Sequence, residues 1–390
     1  MKKAILLILI IGALLFGVSF SQQNHIVFAD DTQIEDEINT QLGDIDFSDV
    51  ENVFDSINGQ NSPLFNSSSF LDKIRNLLSG EFDSGEGVIK NIFNVLFDSV
   101  LNILPTTSLI VAISLLGNMI NALRPNKGKS ISNVIHFVTF GVIVTLILSI
   151  VIKMIDVSSN TIISLQSQMN AIFPLLLTML TAMGGTVSAS VYQPVMALLT
   201  NGILNIFTYL LMPLFIFSVI FSILSNFSNN IKFDKFSSFF NSSFKWIIGF
   251  IFTIFSAFMT FQGMTASSVD GISIRTAKYA IRSYVPILGG YLSDGMGVIL
   301  ASSNLIKNAI GMGGLLLMLS SVLSPLVELI LFMLALKLVA GIVQPLGSKQ
   351  IADFVSSISK SMVLLIVLLV GVAFIYFILL GLVMCSANIV

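Results

Sequence analysis

The chain has 390 residues, 55% of them hydrophobic and only 10% charged, with a mean hydropathy of +0.93. A soluble globular protein carries roughly 25% charged residues, so too few are present to coat a water-facing surface; the soluble enzymes are set aside and a polytopic membrane protein is indicated. The formal charge of −2 is unevenly spread: residues 30–90 hold fourteen Asp/Glu against three Lys/Arg, residues 91–390 seven against fourteen.

At the start of the chain, Lys2 and Lys3 precede an uncharged apolar run, 4–20, and Val27-Phe28-Ala29 offers small or apolar residues at the positions a signal peptidase reads. This is the tripartite form of a secretory signal, 1–29; Ser19-Phe20-Ser21 is a weaker alternative site, and an uncleaved anchor helix is the other reading. Both put residue 30 onward outside the cytoplasm. Residues 30–90 are acidic and rich in Asn, Ser and Gly. Ile38, Leu42, Ile45, Phe47, Val50, Val53, Phe54 and Ile57 recur among the charges, consistent with short amphipathic helices before a linker at 58–69. The segment reads either as a solvated, partly disordered tail or as a docking arm for an extracytoplasmic partner.

A helix crossing the hydrocarbon core needs about 20 apolar residues. Residues 91–390 form the membrane domain, with clear spans at 104–123, 131–152, 203–224, 246–261, 314–336 and 362–384. Trp246 beside Lys245 is placed as an interfacial anchor. The stretch 171–200, broken at Gly184-Gly185, is either a seventh span or a re-entrant hairpin. Loop charge decides. With a hairpin, the cytoplasmic loops hold nine Lys/Arg and the outer loops five; with a seventh span the tally is seven to seven. The positive-inside rule favours six spans and a hairpin. The fold class is therefore all-α and polytopic, with six to seven transmembrane helices, a possible re-entrant hairpin and interfacial helices.

Residues 265–312 separate two spans yet are neither a polar loop nor a continuous apolar run. Ile274, Ala277, Ile281 and Val285 recur at helical spacing, and Arg275, Lys278 and Arg282 form a stripe beside them. Pro286 ends the element and Gly289-Gly290 follow as candidate hinge residues. The pattern reads as a helix in the membrane interface, its bases meeting lipid phosphates or an acidic partner, with pore lining the other reading. Asp294 is positioned to cap a helix start. Beyond it, Ser302, Ser303, Asn304, Lys307 and Asn308 face a wet cavity or bond between helices. Gly311, Gly313 and Gly314 permit close backbone approach or a hinge. Glu328 is the acid deepest in a confident span; a charge there costs at least about 2.5–3.5 kcal/mol, so it is a neutral hydrogen-bonded carboxyl or a proton or ion relay.

Other chemistry is thin. Cys385 is the single cysteine, which excludes an intramolecular disulfide and a Cys-based zinc site; His25 and His136 do not suggest a metal site. Gly128-Lys129-Ser130 has the ending of a phosphate-binding loop, but Leu123 stands where that motif needs its first Gly. No nucleophile–base pair lies in a span, so the chain reads as a non-enzyme without cofactor or nucleic-acid partner, and ATP-driven work falls to another protein.

The order of Gly, Pro and charged positions over 261–314 resembles the signature of the stage III sporulation protein AE family. It runs through Phe261-Gln262-Gly263, Asp270-Gly271-Ile272, Arg275 and Ala277-Lys278, then Val285-Pro286-Ile287-Leu288-Gly289-Gly290 and Leu292-Ser293-Asp294, and ends with Ser302-Ser303, Lys307-Asn308 and Gly311. The layout of signal, acidic segment and several spans is also similar. The resemblance implies a multi-pass protein of the mother-cell membrane around the forespore, within a channel or secretion-like complex that supports forespore gene expression and development. Its implied partners are other stage III sporulation membrane proteins, a secretion-type ATPase and ring-forming proteins, besides membrane lipid; it supplies no catalytic residues. A self-sufficient secondary transporter of a small solute and a pore-less assembly scaffold are the competing readings.

Overall fold

The computed structural model describes residues 31–58, 69–79, 85–122, 129–227, 233–284, 289–345 and 349–386. The expected signal, most of the linker and Val285-Pro286-Ile287-Leu288 lie outside the described residues. Among the described residues every regular element is helical. Three short helices, α1 (Asp31–Asp44), α2 (Ser48–Asn58) and α3 (Phe70–Ser79), precede the long ones. These are α4 (Gly85–Ala122), α5 (Lys129–Ala182), α6 (Thr186–Ala197), α7 (Met212–Phe227), α8 (Asp234–Tyr284), α9 (Gly289–Val343) and α10 (Lys349–Cys385). Between α6 and α7 the chain runs without a break through two π-helical turns, Leu198–Ile203 and Phe207–Leu211, separated by the α-helical turn Leu204–Ile206.

Among the described residues six helical stretches are long and apolar enough to cross a bilayer: Phe93–Ile120, Val134–Ala182, Thr186–Asn226, Lys235–Met259, Gly289–Val343 and Lys349–Cys385. This is the six-span arrangement that loop charge favours. At about 1.5 Å per residue, the 54 residues of α5 and the 55 of α9 are each about 80 Å long, more than twice the ~30 Å hydrocarbon core. The helices therefore extend well past the spans read from hydropathy.

One extension is the hairpin of 171–200. Its arms continue two spans instead of forming a separate inserted element. The turn is a Schellman motif: Gly185 N–H donates to the Leu180 carbonyl at 2.9 Å and Gly184 N–H to the Thr181 carbonyl at 2.9 Å, with Gly184 at φ +85°. A side chain at that φ is strained, and a Cβ on Gly185 would lie 2.9 Å from the Leu180 carbonyl oxygen. Both glycines serve the reversal. Residues 153–170, expected as an outer loop, belong to α5. Polar residues that keep helical phase continue a helix; hydropathy marks only its lipid-compatible part.

Residues 274–284 differ from the expected interfacial helix in the same way. They are the end of the 51-residue α8, which carries the fourth span, because no proline interrupts the sequence between 234 and 285. Similarly, α9 begins at Gly289, five residues before Asp294.

The core is a seam of α5, α9 and α10. Phe140 meets Phe354 (5.3 Å between ring centroids) and Phe173 meets Tyr376 edge-on (5.7 Å). Hydroxyl bonds fix the depth: Ser359 Oγ donates to the Met333 carbonyl at 2.9 Å, and Ser222 and Ser357 pair at 2.7 Å. α10 is the most enclosed span, so its apolar sequence reflects packing as much as lipid contact. The outward faces of the other spans carry Phe93, Phe137, Phe217, Phe250 and Leu338, all exposed.

Candidate functional site

The acidic segment is ordered by its own apolar residues. Leu42, Phe47, Val50, Phe54 and Ile57 are buried, and Ile38, Ile45 and Val53 pack against them. Local hydrogen bonds set the helix starts. Asp46 Oδ1 accepts from Ser48 Oγ and from Ser48 N–H (3.0 Å), which holds its carboxyl below the usual carboxylate range. Glu51 places one carboxylate oxygen on Phe70 N–H and the other on Leu71 N–H, each at 3.0 Å, while Ser69 Oγ accepts from Asp72 N–H at 3.1 Å. A carboxylate at a helix N-terminus meets both unsatisfied donors and the positive end of the helix dipole.

This three-helix arm docks on the N-terminal half of α9. Ser303 Oγ donates to Gln41 Oε1 at 2.8 Å, and Gln41 Nε2 donates to Ser302 Oγ at 3.2 Å. One amide thus reads two consecutive hydroxyls, so Ser302 and Ser303 bond between elements. Nearly three turns further along, Phe70, itself against Phe47 and Phe54, enters a notch on α9. A Cβ on Gly313 would lie 2.9 Å from the Phe70 ring, and one on Gly311 2.5 Å from Met384; Gly314 faces Ile172 and Leu380. α9 runs unbroken through all three, so in this structure they are points of close approach to three different neighbours.

Lys307, one turn beyond Ser303 on α9, lies against the end of α10. It is fully buried and donates from Nζ to the Ser386 carbonyl, whose hydroxyl pairs with Tyr192 at 2.8 Å. The terminal carbonyls of a 37-residue helix carry partial negative charge, which favours an ammonium there. Asn304 and Asn308, on the same face, turn buried Oδ1 atoms inward without a protein donor.

Glu328 has a partner that lies 175 residues away in sequence. Lys153 Nζ is 2.6 Å from its Oε1 and 5.6 Å from the centroid of the Phe332 ring. The carboxylate is the enclosed member, with 18% of its side chain exposed against 50% for the lysine. Deeper along the same α5–α9 seam, Gln168 Nε2 donates to Ser321 Oγ at 2.7 Å.

The basic stripe stays at the far end of α8. Arg275 and Arg282 are exposed and Lys278 half-buried, its ammonium 3.6 Å from where a Cβ on Gly297 would be. Ile274, beside the stripe, packs on Gly184. Gly289 lets α9 begin against α8, since a Cβ there would meet the Ile281 carbonyl oxygen at 2.6 Å; Gly290 has open space and Asp294 is exposed. The arm, hairpin tip, basic stripe and start of α9 therefore form one cap around α9, while Glu328 lies 21 residues below Lys307, about 32 Å along the helix. Sequence reasoning missed Gln41, Phe70, Lys153, Gln168 and Tyr192. For Lys153 the available signal was a base directly following an apolar run; for Phe70 and Gln41 there was none.

Six long apolar helices packed on a helical cap define an all-α polytopic membrane protein. The sequence profile of stage III sporulation protein AE matches residues 68–387, most of the chain, and the chain belongs to that family. It is similar to the stage III sporulation protein AE of Bacillus subtilis (strain 168), with 28% identity over 304 residues, covering 77% of this chain and 75% of that protein. No solved structure matches.

Proposed function

We propose that this protein is a non-enzymatic membrane component of a channel or secretion-like complex that links mother cell and forespore and supports forespore gene expression after engulfment. The observation that carries it is the family match across 68–387, which covers all six apolar stretches and α3 of the cap. The cap supports the reading physically. It gathers exposed acids on the arm (Glu35, Asp36, Asp55) and exposed bases on α8 (Arg275, Arg282) at one end of the bundle, a surface suited to protein neighbours on that side. In this reading the other stage III sporulation membrane proteins and ring-forming proteins meet the cap, and a secretion-type ATPase works from the cytoplasmic end. The protein resides in the mother-cell membrane surrounding the forespore. Deletion in a sporulating host should leave engulfment intact and abolish a late forespore reporter, with full-length protein in trans restoring it. Normal reporter activity in the deletion strain overturns the proposal.

A further inference from the structure

The last turns of α8 expose large side chains. The chain has six tyrosines, and three of them, Tyr279, Tyr284 and Tyr291, fall within thirteen residues around the α8–α9 turn. They are 72%, 83% and 80% exposed, and Ile272 and Leu292 are also open. Tyr209 and Trp246 are as exposed, but both lie on apolar stretches that lipid covers. On α8, Ile272 and Tyr279 stand seven residues apart, and so do Arg275 and Arg282, all four exposed. Seven residues are nearly two full turns, so each pair runs in line along the helix. The contacts of α8 with the hairpin tip and α9 use other residues: Ile274 at Gly184, Lys278 at Gly297 and the Ile281 carbonyl at Gly289.

This surface stands clear of the bilayer that the spans cross. Ile272 is thirteen residues beyond Met259, the end of the fourth apolar stretch, about 20 Å along the helix. A neighbouring helix gives the same level. Ile274 packs on Gly184, twelve residues and about 18 Å beyond Ile172, which meets Gly314 at the start of a span. A tilt of about 40° still leaves about 15 Å, whereas headgroups add only about 5–8 Å to the hydrocarbon on each side. The lipid of its own membrane does not reach Ile272, Tyr279 or the arginines beside them. Clustered apolar and aromatic groups exposed to water mark an interaction surface, and Tyr and Arg concentrate in protein interfaces while Lys is depleted. Here the one Lys of the stripe is half-buried and the two Arg are exposed. From Ile272 to Tyr284 the sequence has no Asp or Glu, so the face is positive.

We propose that the exposed face of α8 from Ile272 to Tyr284 is a docking surface for an acidic amphipathic helix of another protein. Carboxylates of the partner meet Arg275 and Arg282, whose planar guanidinium groups match them in bidentate geometry. Its apolar side chains cover Ile272 and Tyr279. The shared seven-residue spacing suits a helix lying alongside, as in coiled-coil pairing. The inference rests on the reading of this protein as part of a complex and adds the surface and the partner's chemistry. A second membrane facing the α8–α9 turn fits less well: it would meet Tyr284 and Tyr291 at the turn but not Ile272, about 18 Å back along the helix.

The test keeps the full chain in its sporulating host, with photoreactive p-benzoylphenylalanine at position 272 or 279 and, as a lipid-facing control, at 250. Light should join positions 272 and 279 to the same segment of one other protein, and position 250 should not join it. Mass spectrometry of the adduct should map that segment to a helix carrying Asp or Glu about seven residues apart. Arg275→Glu with Arg282→Glu should lower the adduct at least about 5-fold at unchanged membrane level, and reversing the mapped acids to Arg should restore it. Adducts with lipid only, with a second copy of this chain, or with a segment lacking those acids overturn the proposal. So does an adduct that charge reversal leaves unchanged, or no adduct from protein that reaches the membrane. If these tests fail while deletion abolishes the forespore reporter, the surface is rejected and the sporulation role stands; if the adduct forms while deletion spares the reporter, the role falls and the surface stands.

Discussion

Gly313 shows how one missing side chain sets an interface. With no Cβ, α9 accepts the Phe70 ring against its backbone, and the arm is held by that insertion together with Gln41. In Gly313→Val, the new methyl groups would occupy the ring's position at a cost of about 1–3 kcal/mol, and the arm should loosen without loss of the bundle. Trypsin cleavage at exposed Arg75 in the membrane-inserted protein measures it; unchanged protection would mean that Phe70 is not the fastening point. The Lys153–Glu328 pair makes a different prediction. Breaking it should cost between the ~1 kcal/mol of an exposed pair and the ~3–5 kcal/mol of a buried one, because one partner is enclosed and the other half-exposed. Lys153→Met and Glu328→Gln should each lower the thermal midpoint in detergent, and the exchange Lys153→Glu with Glu328→Lys should recover most of the loss. If Glu328→Gln leaves both midpoint and forespore reporter unchanged, the ionised carboxylate has no role.

Among the elements, α3 is the most dependent on a single side chain outside it. It has ten residues, too few to hold a helix alone in water, and Glu51 from α2 satisfies two of its leading N–H groups. Glu51→Ala should cost about 1–2 kcal/mol and speed amide exchange across Phe70–Ser79 while α9 stays protected; equal exchange rates would show that packing alone keeps α3 folded. The apolar spacing from Ile38 to Ile57 made the arm's helices legible, since all eight residues do turn inward. Where they dock was not legible, because the notch at Gly313 exists only once α9, α3 and α10 are together. Gly184-Gly185 announced a reversal correctly, whereas the continuity of α5, α8 and α9 past the spans was hidden. A twenty-residue hydropathy count finds the lipid-compatible part of a helix and stops there. Lys153 was placed in a loop for that reason, and Glu328 consequently lacked a partner.

At the scale of the molecule, six spans place the arm and the end of α10 on the same side of the membrane, and the structure brings both to the N-terminal half of α9, the arm at Ser302 and Ser303 and the end of α10 at Lys307. The topology follows: on a Cys385→Ser background, Lys127→Cys should react only from the cytoplasm and Lys278→Cys only from the opposite side. Cytoplasmic labelling at 278 would reject this orientation.

The length of α5 and α9 also has a mechanical side. Each is a continuous helix of about 80 Å, the two joined by Lys153 midway along α5 and Glu328 nearly three quarters of the way along α9, and α9 is held at the cap by the arm. A rod pivoting at one end through about 5° moves its other end by about 7 Å, one and a third helical turns. Rocking at the cytoplasmic loops is thereby delivered to the cap as a displacement of side-chain size.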